Sequence, residues 1–146
     1  MSVDTVAFSI DIDAGAEAVI RRHGAQAYPD ECCGALLARG NRIIDAVPLS
    51  NTTEEEARRR FLVGPLEYRR AEALASLRGA ELAGFYHSHP DHPARPSQHD
   101  LEHAWPNLTY VIVSVASGSP ADMTCWRLRE DRSRFDRGDL SWQPPS

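Results

Sequence analysis

The stretch GFYHSHP at residues 84–90, followed by SQHD at residues 97–100, decides how this chain folds and what chemistry it can perform. The apolar residues that lead into it are typical of a buried strand, and strand side chains alternate between two faces. His87 and His89 are therefore expected to project from the same face. Two imidazoles and the carboxylate of Asp100 can hold one metal ion with a coordination position left open, as in catalytic zinc sites.

The other residues of these two segments also have structural interpretations. Pro90 is expected to end the strand, and the run from Gln98 to Trp105 has helical character with Ser97 and Asp100 near its start. A Ser-x-x-Asp pair at that place fits a capping box, which would explain both residues without a metal. The combination of a strand-borne His-x-His, a proline and a short loop delivering Ser-x-x-Asp favours the metal site over the cap alone.

Three further histidines are close in sequence. His99 and His103 are four residues apart, so on a helix they share a face and form a rival metal-binding pair. A helix entered from a proline-rich loop usually exposes such residues, and we expect this pair not to hold the metal. His92 is expected at the rim of the site.

These motifs resemble the signature of the JAMM or MPN-plus metalloproteases, which is a distant Glu, then His-[Ser/Thr]-His, seven residues, and Ser-x-x-Asp. The chain matches the second part in full, with the required spacing between His89 and Ser97. Its early segment YPDECCGALL, residues 28–37, supplies Glu31 ahead of a Cys-Gly pair and an apolar run. The resemblance extends over most of the chain, from Ile10 to Leu128.

The resemblance implies a role for each of these residues. His87, His89 and Asp100 would be the ligands of Zn²⁺, with a water completing the coordination. Glu31 would be the general base that accepts a proton from this water and later passes it to the leaving amine. Ser97 would stabilise the oxyanion that forms on the attacked carbonyl.

Two neighbouring residues need separate treatment. Asp30 competes with Glu31 for the role of the base, and the match to the family pattern favours Glu31. Ser88 points away from the metal in a regular strand, so we expect it to fix the loop or the neighbouring backbone.

The resemblance further implies hydrolysis of a peptide or isopeptide bond after the C-terminal Gly-Gly of a ubiquitin-like protein. The short loop between His89 and Ser97 and the short connection after Asp100 are similar to those of compact, stand-alone prokaryotic members, several of which act with ubiquitin-like sulfur-carrier proteins. A deubiquitinase-like isopeptidase and a non-catalytic MPN scaffold are the alternatives. A deaminase is disfavoured because the sequence lacks the H-x-E and P-C-x-x-C patterns.

The cysteines have a structural interpretation. Cys32 and Cys33 begin an apolar run, and Cys125 lies in a strand-like segment. Thiolates can bind zinc, but free cysteine commonly behaves as a small buried hydrophobe. Adjacent cysteines make a poor disulfide, and an odd count gives no disulfide framework. We expect all of them to be reduced core residues.

Length and charge restrict the architecture and the partners. With 146 residues, 42% of them hydrophobic, we expect one domain over residues 1–146, with a core over 6–130 and a C-terminal strand or tail over 131–146. The net charge of −5 argues against a nucleic-acid partner, and the Arg58–Arg60 cluster after Glu54–Glu56 is expected to be solvated. The absence of a signal region or an apolar span, together with reduced cysteines, predicts a cytoplasmic protein without membrane contact. The oligomeric state stays open.

The order of predicted elements indicates an α/β chain. Strands are predicted over Val6–Ile12, Gly34–Ala38, Arg42–Leu49, Phe61–Val63, Leu82–His89, Thr109–Ala116 and Asp122–Leu128, and helices over Ala14–Gln26, Leu66–Leu77 and Gln98–Trp105. Asp13 is the predicted N-cap of the first helix. Strands between helices predict a three-layer α-β-α sandwich with a mixed sheet and the site at a sheet edge. The resemblance implies the curved sheet of the JAMM/MPN (cytidine-deaminase-like) fold.

Overall fold

The computed structural model describes residues 6–49 and 63–143. Within these residues the strands are β1 (Phe8–Asp13), β2 (Cys33–Arg39), β3 (Arg42–Leu49), β4 (Glu81–Pro90), β5 (Thr109–Ala116), β6 (Ser119–Leu128) and β7 (Phe135–Gln143). The helices are α1 (Ala14–Ala27), α2 (Pro65–Leu77) and α3 (Gln98–His103). The charged segment 54–60 and most of the strand predicted over Phe61–Val63 lie outside the described residues. Of the two alternatives for the C-terminal segment, the strand is observed.

The described strands form one mixed sheet in the order β1-β3-β2-β4-β5-β6-β7, and β7 pairs with β1 to close it. The pairs β1–β3, β1–β7 and β4–β5 are parallel, and the others are antiparallel. The predicted α/β class with a mixed, curved sheet is confirmed.

The expected position of the site at a sheet edge is wrong. Strand β4 lies between β2 and β5, and the described strands leave no open edge because β1 pairs with both β3 and β7. Each strand is rotated relative to its neighbour, and the accumulated twist can bring the first and last strands of a sheet together. The order of predicted elements does not show whether this closure takes place. The two histidines therefore lie at the C-terminal end of a central strand.

Helices α1 and α2 cover opposite faces of the sheet. Ile20 of α1 lies in one buried cluster, and Ala75 of α2 lies in another. The first cluster includes Ile10, Ile12, Ala16, Leu36, Ile43, Tyr86, Val111, Val113 and Val115, and the second includes Ala35, Leu37, Ala71, Phe85, Leu108, Tyr110 and Leu128. The sheet thus separates two apolar layers, which is the predicted three-layer arrangement with the sheet curved around α1.

Strand β4 directs its residues alternately to these two layers. Phe85 belongs to the cluster on the α2 side, and Tyr86 belongs to the cluster on the α1 side. The same alternation places both histidines on the side of Phe85, while Ser88 is fully buried toward α1. The expectation from period two therefore agrees with the structure.

Asp13 is the N-cap residue of α1, as predicted, but its side chain makes no capping hydrogen bond. Its carboxylate instead accepts a hydrogen bond from Nε of Arg42 at the start of β3. This ion pair connects the beginning of α1 to the beginning of β3, the strand that pairs with β1 in the sheet. None of the helices in the described ranges has the length and apolar character needed to cross a membrane.

Gly84 allows β4 and β5 to approach each other closely. A Cβ built at this position would lie 1.7 Å from the carbonyl oxygen of Thr109 on β5. The obstructing atom belongs to the backbone of a buried strand, so it cannot move aside without disturbing the pairing. Gly84 is therefore needed for the β4–β5 register that leads into the two histidines.

We expect Gly84→Ala to lower the free energy of unfolding by about 3 kcal/mol, since it overpacks the sheet against a backbone atom. Urea denaturation followed by circular dichroism measures this change. Gly15→Ala in α1 is the matched control, because nothing lies within 4 Å of a Cβ built there. It should be neutral or stabilising by up to about 1 kcal/mol. Equal midpoints for the two variants would contradict this account of the strand contact.

Candidate metal centre

Three ligand atoms from β4 and α3 converge. The Nε2 atoms of His87 and His89 are 3.1 Å apart, and Oδ2 of Asp100 lies 3.3 Å from the first and 3.2 Å from the second. All three side chains are largely buried. Among the described residues, this is the group of His, Cys, Asp and Glu side chains whose ligand atoms are placed to share one metal ion.

The dimensions of this triangle fit a small cation with tetrahedral coordination. Zinc bonds to His nitrogen and carboxylate oxygen are about 2.0–2.2 Å long, and tetrahedral angles then separate two ligand atoms by roughly 3.3–3.5 Å. The observed separations of 3.1, 3.2 and 3.3 Å are close to this value. The residues present can therefore hold a zinc ion with a fourth position open to the cavity.

The orientation of the His89 ring is fixed by a second hydrogen bond. Its Nδ1 lies 2.8 Å from the carbonyl oxygen of Pro93. Because a carbonyl only accepts, Nδ1 donates this hydrogen bond, and Nε2 is the ring nitrogen that faces His87 and Asp100. Histidines that bind metals commonly make an outer hydrogen bond of this kind.

Asp100 serves as a helix cap and as a member of the triangle at the same time. Its backbone N–H donates to Oγ of Ser97 at 3.1 Å, and its Oδ2 accepts from the backbone N–H of Ser97 at 2.8 Å. The complete capping box is therefore present at the start of α3. The same Oδ2 faces both histidines, so the two interpretations of Ser-x-x-Asp are compatible rather than exclusive.

Electrostatics keep the carboxylate of the triangle ionised. Burial raises the pKa of Asp100, but its hydrogen bonds with His87 and His89 and the backbone hydrogen bond from Ser97 outweigh burial and hold the pKa well below its usual range. Burial lowers the pKa of His89, but the bonds to Asp100 and Pro93 and the negative charge of Asp100 raise it overall. A buried negative charge between two imidazoles favours a cation at this place.

Glu31 lies beside the triangle. The register of β2 and β4 pairs Cys33 with His87. Glu31 precedes Cys33 by two residues, just ahead of β2, and His89 follows His87 by two residues on β4. The two side chains line one cavity of about 470 Å³ together with Ser97 and Asp100. His92, predicted at the rim of the site, lines this cavity as well.

Asp30, the rival for the role of base, is not among the described residues that line this cavity. Its backbone N–H donates to the carbonyl of Ala27 at 2.8 Å, in the turn that ends α1. The geometry therefore supports the choice of Glu31 over Asp30.

The segment that carries Glu31 is tied to β4 at both ends. The N–H of Cys32 donates to Oγ of Ser88 at 2.9 Å, and the N–H of Ser88 donates to the carbonyl of Cys32 at 3.1 Å. The hydroxyl of Tyr28 donates to Oδ2 of Asp91 at 2.5 Å. We call these contacts the Glu31 clamp. Ser88 thus fixes the neighbouring backbone, as predicted.

Sequence reasoning missed the other half of this clamp. Tyr28 and Asp91 are 63 residues apart, and no motif links them. The one available signal is that Asp91 follows Pro90 in a turn-like context. Asp91 has a φ of 57°, a left-handed conformation that Asp tolerates better than most residues.

The cysteines are free and buried, in agreement with their structural interpretation. Burial raises the pKa of the Cys32 thiol, raises that of Cys33 well above its usual value, and raises that of Cys125 to about 12. Such thiols are protonated at neutral pH and are therefore poor nucleophiles.

His99 and His103 do not join the triangle. Their rings stack with centroids 4.2 Å apart, and Nδ1 of His103 lies 2.9 Å from the carbonyl oxygen of His99, so this nitrogen donates along the helix. The pair lines a cavity that His87 and Asp100 also border, but its nitrogens are not part of the converging group of ligand atoms. The alternative metal pair therefore receives no support from the geometry.

Comparisons with known proteins show which family and which relatives this chain resembles. The chain matches, over residues 13–129, a family model described as prokaryotic homologs of the JAB domain. It is 38% identical over 98 residues to desampylase of Haloferax volcanii, which covers 64% of this chain and 69% of that protein. It is 33% identical over 118 residues to tail tip assembly protein K of Escherichia phage N15, covering 81% of this chain and 45% of that protein, so the chain spans less than half of this relative.

Solved structures share the fold. A protein from Salinibacter ruber is 46% identical, with 88% of each chain covered and a TM-score of 0.67. The protein DSY2949 from Desulfitobacterium hafniense is 27% identical, with 93% of this chain and 94% of that chain covered and a TM-score of 0.78. The JAB1/MPN domain protein AF2198 from Archaeoglobus fulgidus is 19% identical, with 92% and 98% covered and a TM-score of 0.62. The predicted JAMM/MPN fold is thereby confirmed.

We expect the purified protein to bind one divalent metal ion per chain, measured by elemental analysis and by calorimetric titration with Zn²⁺. His87→Ala and Asp100→Ala should each weaken binding about 100-fold or more, because removing one ligand leaves an incomplete site. The double variant His99→Ala/His103→Ala is the matched control, since it removes two histidines from the helix that carries Asp100. If the control lost the metal and His87→Ala retained it, the metal site would lie on α3 instead.

Proposed function

The chain belongs to the prokaryotic homologs of the JAB domain, and on this premise we propose that it is a zinc-dependent metalloprotease of the JAMM type. It hydrolyses a peptide or isopeptide bond after the C-terminal Gly-Gly of a ubiquitin-like protein, and a sulfur-carrier protein is the favoured substrate. The observation that carries this proposal is the triangle of His87, His89 and Asp100, two members of which, His89 and Asp100, line one cavity together with Glu31.

The donor set favours zinc and a catalytic role. Two imidazoles and one carboxylate leave a position open, whereas structural zinc sites are closed by four protein ligands, usually including cysteines. Cys32 and Cys33 are buried and are not among the described residues whose ligand atoms converge, so they are not proposed as ligands. Zinc bound at such a site lowers the pKa of its water to about 7 and polarises a substrate carbonyl.

Glu31 is the proposed general base. A carboxylate that lines the cavity can accept a proton from the attacking water and deliver it to the leaving amine, provided it stays within hydrogen-bond reach of both. The Glu31 clamp holds its backbone next to the strand that carries His87 and His89. The base is thereby fixed with respect to the ligands rather than left on a free loop.

Ser97 is the proposed oxyanion donor. Its Oγ accepts the capping hydrogen bond from Asp100 through a lone pair, so its hydroxyl hydrogen is still available for donation. The hydroxyl lines the cavity close to Asp100, where negative charge would develop on the attacked carbonyl oxygen. The capping hydrogen bond fixes the position of Oγ. The hydroxyl hydrogen can then donate to the substrate.

The substrate assignment rests on family membership and on the compact site. The relative named desampylase supports an enzyme over a non-catalytic scaffold. Only six residues form α3, and β5 begins soon after it, so the described site has no large insertion around it. This compactness supports the stand-alone type, for which a small ubiquitin-like carrier is a suitable partner. Residues without side chains, such as Gly-Gly, can enter a narrow cleft next to the metal.

We expect the zinc-loaded protein to shorten a sulfur-carrier protein that has been extended by a short peptide beyond its Gly-Gly end. Intact mass spectrometry identifies the cleaved bond from the mass that is lost. A chelator should stop the reaction, added Zn²⁺ should restore it, and His87→Ala should be inactive. If neither this fusion nor a ubiquitin fusion is cut by protein with full metal content, the chain is a scaffold of the same fold.

We expect Glu31→Gln to reduce kcat by about 10²- to 10⁴-fold, the usual contribution of a general base, while metal content stays unchanged. Asp30→Asn is the matched control and should keep nearly full activity, because Asp30 does not line the cavity. Steady-state cleavage assays and elemental analysis on the same preparations provide both readouts. An active Glu31→Gln variant with an inactive Asp30→Asn variant would exchange the two roles.

A further inference from the structure

A second cavity lies next to the metal cavity, on the side of Ser97. It has a volume of about 310 Å³ and is lined by residues including Arg95, Ser97, Leu101, Trp126, Arg134 and Phe135. Arg95 and Ser97 also line the metal cavity, so the two spaces share a wall. We call the second space the basic arm. A peptide that presents its carbonyl to the metal centre can therefore extend into it.

The basic arm combines an apolar floor with positive charge. Leu101, Trp126 and Phe135 form the floor, and no acidic side chain is among the described residues that line it. The indole N–H of Trp126 donates to Oγ1 of Thr124 at 2.8 Å, which itself donates to the carbonyl of Ala94. The floor is thus held in place before any substrate binds.

The positive charge of Arg134 is only partly neutralised. Nε of Arg134 lies 3.8 Å from the carboxylate of Asp136, while Nε of Arg129 donates to both oxygens of that carboxylate at 3.1 Å. One carboxylate is therefore shared by two guanidinium groups. The side chain of Arg134 is 65% exposed, and Arg95 is exposed as well. Two solvent-exposed arginines therefore line this cavity, on a chain with a net charge of −5.

We propose that the basic arm binds an acidic side chain of the substrate close to the cleaved bond. Guanidinium groups pair with carboxylates in a fork geometry, and the apolar floor suits the methylene groups or a neighbouring apolar residue of such a segment. This inference rests on the proposed function, because the arm is a substrate site only if cleavage takes place at the adjoining metal centre.

A peptide is favoured over a nucleic acid as the occupant. The arm adjoins the cavity of the metal centre through Arg95 and Ser97, so a substrate segment next to the cleaved bond is its natural occupant. Nucleic-acid surfaces need an extended basic patch to neutralise several phosphates, whereas this arm offers two arginines in a concave space. An oligonucleotide that inhibits cleavage by competition at physiological salt would contradict the peptide assignment.

The test uses fusion substrates that are identical except for Asp, Asn or Lys at one position within three residues on either side of the cleaved bond. At one or more positions we expect kcat/KM to follow the order Asp, Asn, Lys, with about a 3- to 10-fold difference between Asp and Lys, since the arginines are partly solvated. The difference should appear mainly in KM and should decrease with added salt.

Variants separate this assignment from general charge effects. Arg95→Gln/Arg134→Gln should abolish the Asp preference, and Arg134→Glu should reverse it, with metal content unchanged. The matched control Arg22→Gln/Arg70→Gln removes the same charge from α1 and α2, whose arginines line neither cavity, and should keep the preference.

The outcomes separate this inference from the proposed function. Equal cleavage of the Asp and Lys substrates at all positions, or a preference that survives in Arg95→Gln/Arg134→Gln, overturns the inference and leaves the protease assignment intact. Failure of the wild-type protein to cut any member of the series overturns the proposed function, and the inference falls with it.

Discussion

The structure depends on one electrostatic constraint, which is that two imidazole nitrogens and the oxygen of an ionised carboxylate are held within 3.1–3.3 Å of one another. Groups that all offer electron pairs repel each other unless a proton or a cation lies between them. Keeping them together in a largely buried place costs free energy that the surrounding packing must offset. The closed sheet, the Gly84 contact and the short helix α3 all contribute to holding this arrangement.

Helix α3 shows how a short element can carry a ligand. Six residues are too few for a stable helix in isolation, because nucleation costs more than so few hydrogen bonds return. Its start is fixed by the capping box, and its end by the guanidinium of Arg132, which donates to the carbonyls of Ala104 at 2.8 Å and Glu102 at 3.2 Å. Both ends are thus anchored by side chains, so Asp100 keeps its position relative to the strand.

The convergence of His87, His89 and Asp100 could be predicted from the sequence because its geometry is local. The period of a strand places His87 and His89 on one face, and a short loop limits where Asp100 can lie. The closure of the sheet depends on the pairing of β1 with two distant strands, and no local pattern encodes it. The sequence does not predict the basic arm for the same reason, since Arg95 and Arg134 are distant in sequence and line one cavity only in the folded chain.

The proposed base, Glu31, lies between features with local geometry and features that depend on contacts distant in sequence. Glu31 lies on neither a helix nor a strand, and a general base must stay within hydrogen-bond reach of the proton that it transfers. Its segment is held by Ser88 at one end and by Asp91 at the other, and both lie at the end of β4 that carries the two histidine ligands. A displacement of this strand end therefore carries the base with the ligands. In the proposed reaction, the distance on which proton transfer depends would be preserved because one strand end positions both Glu31 and the two histidines.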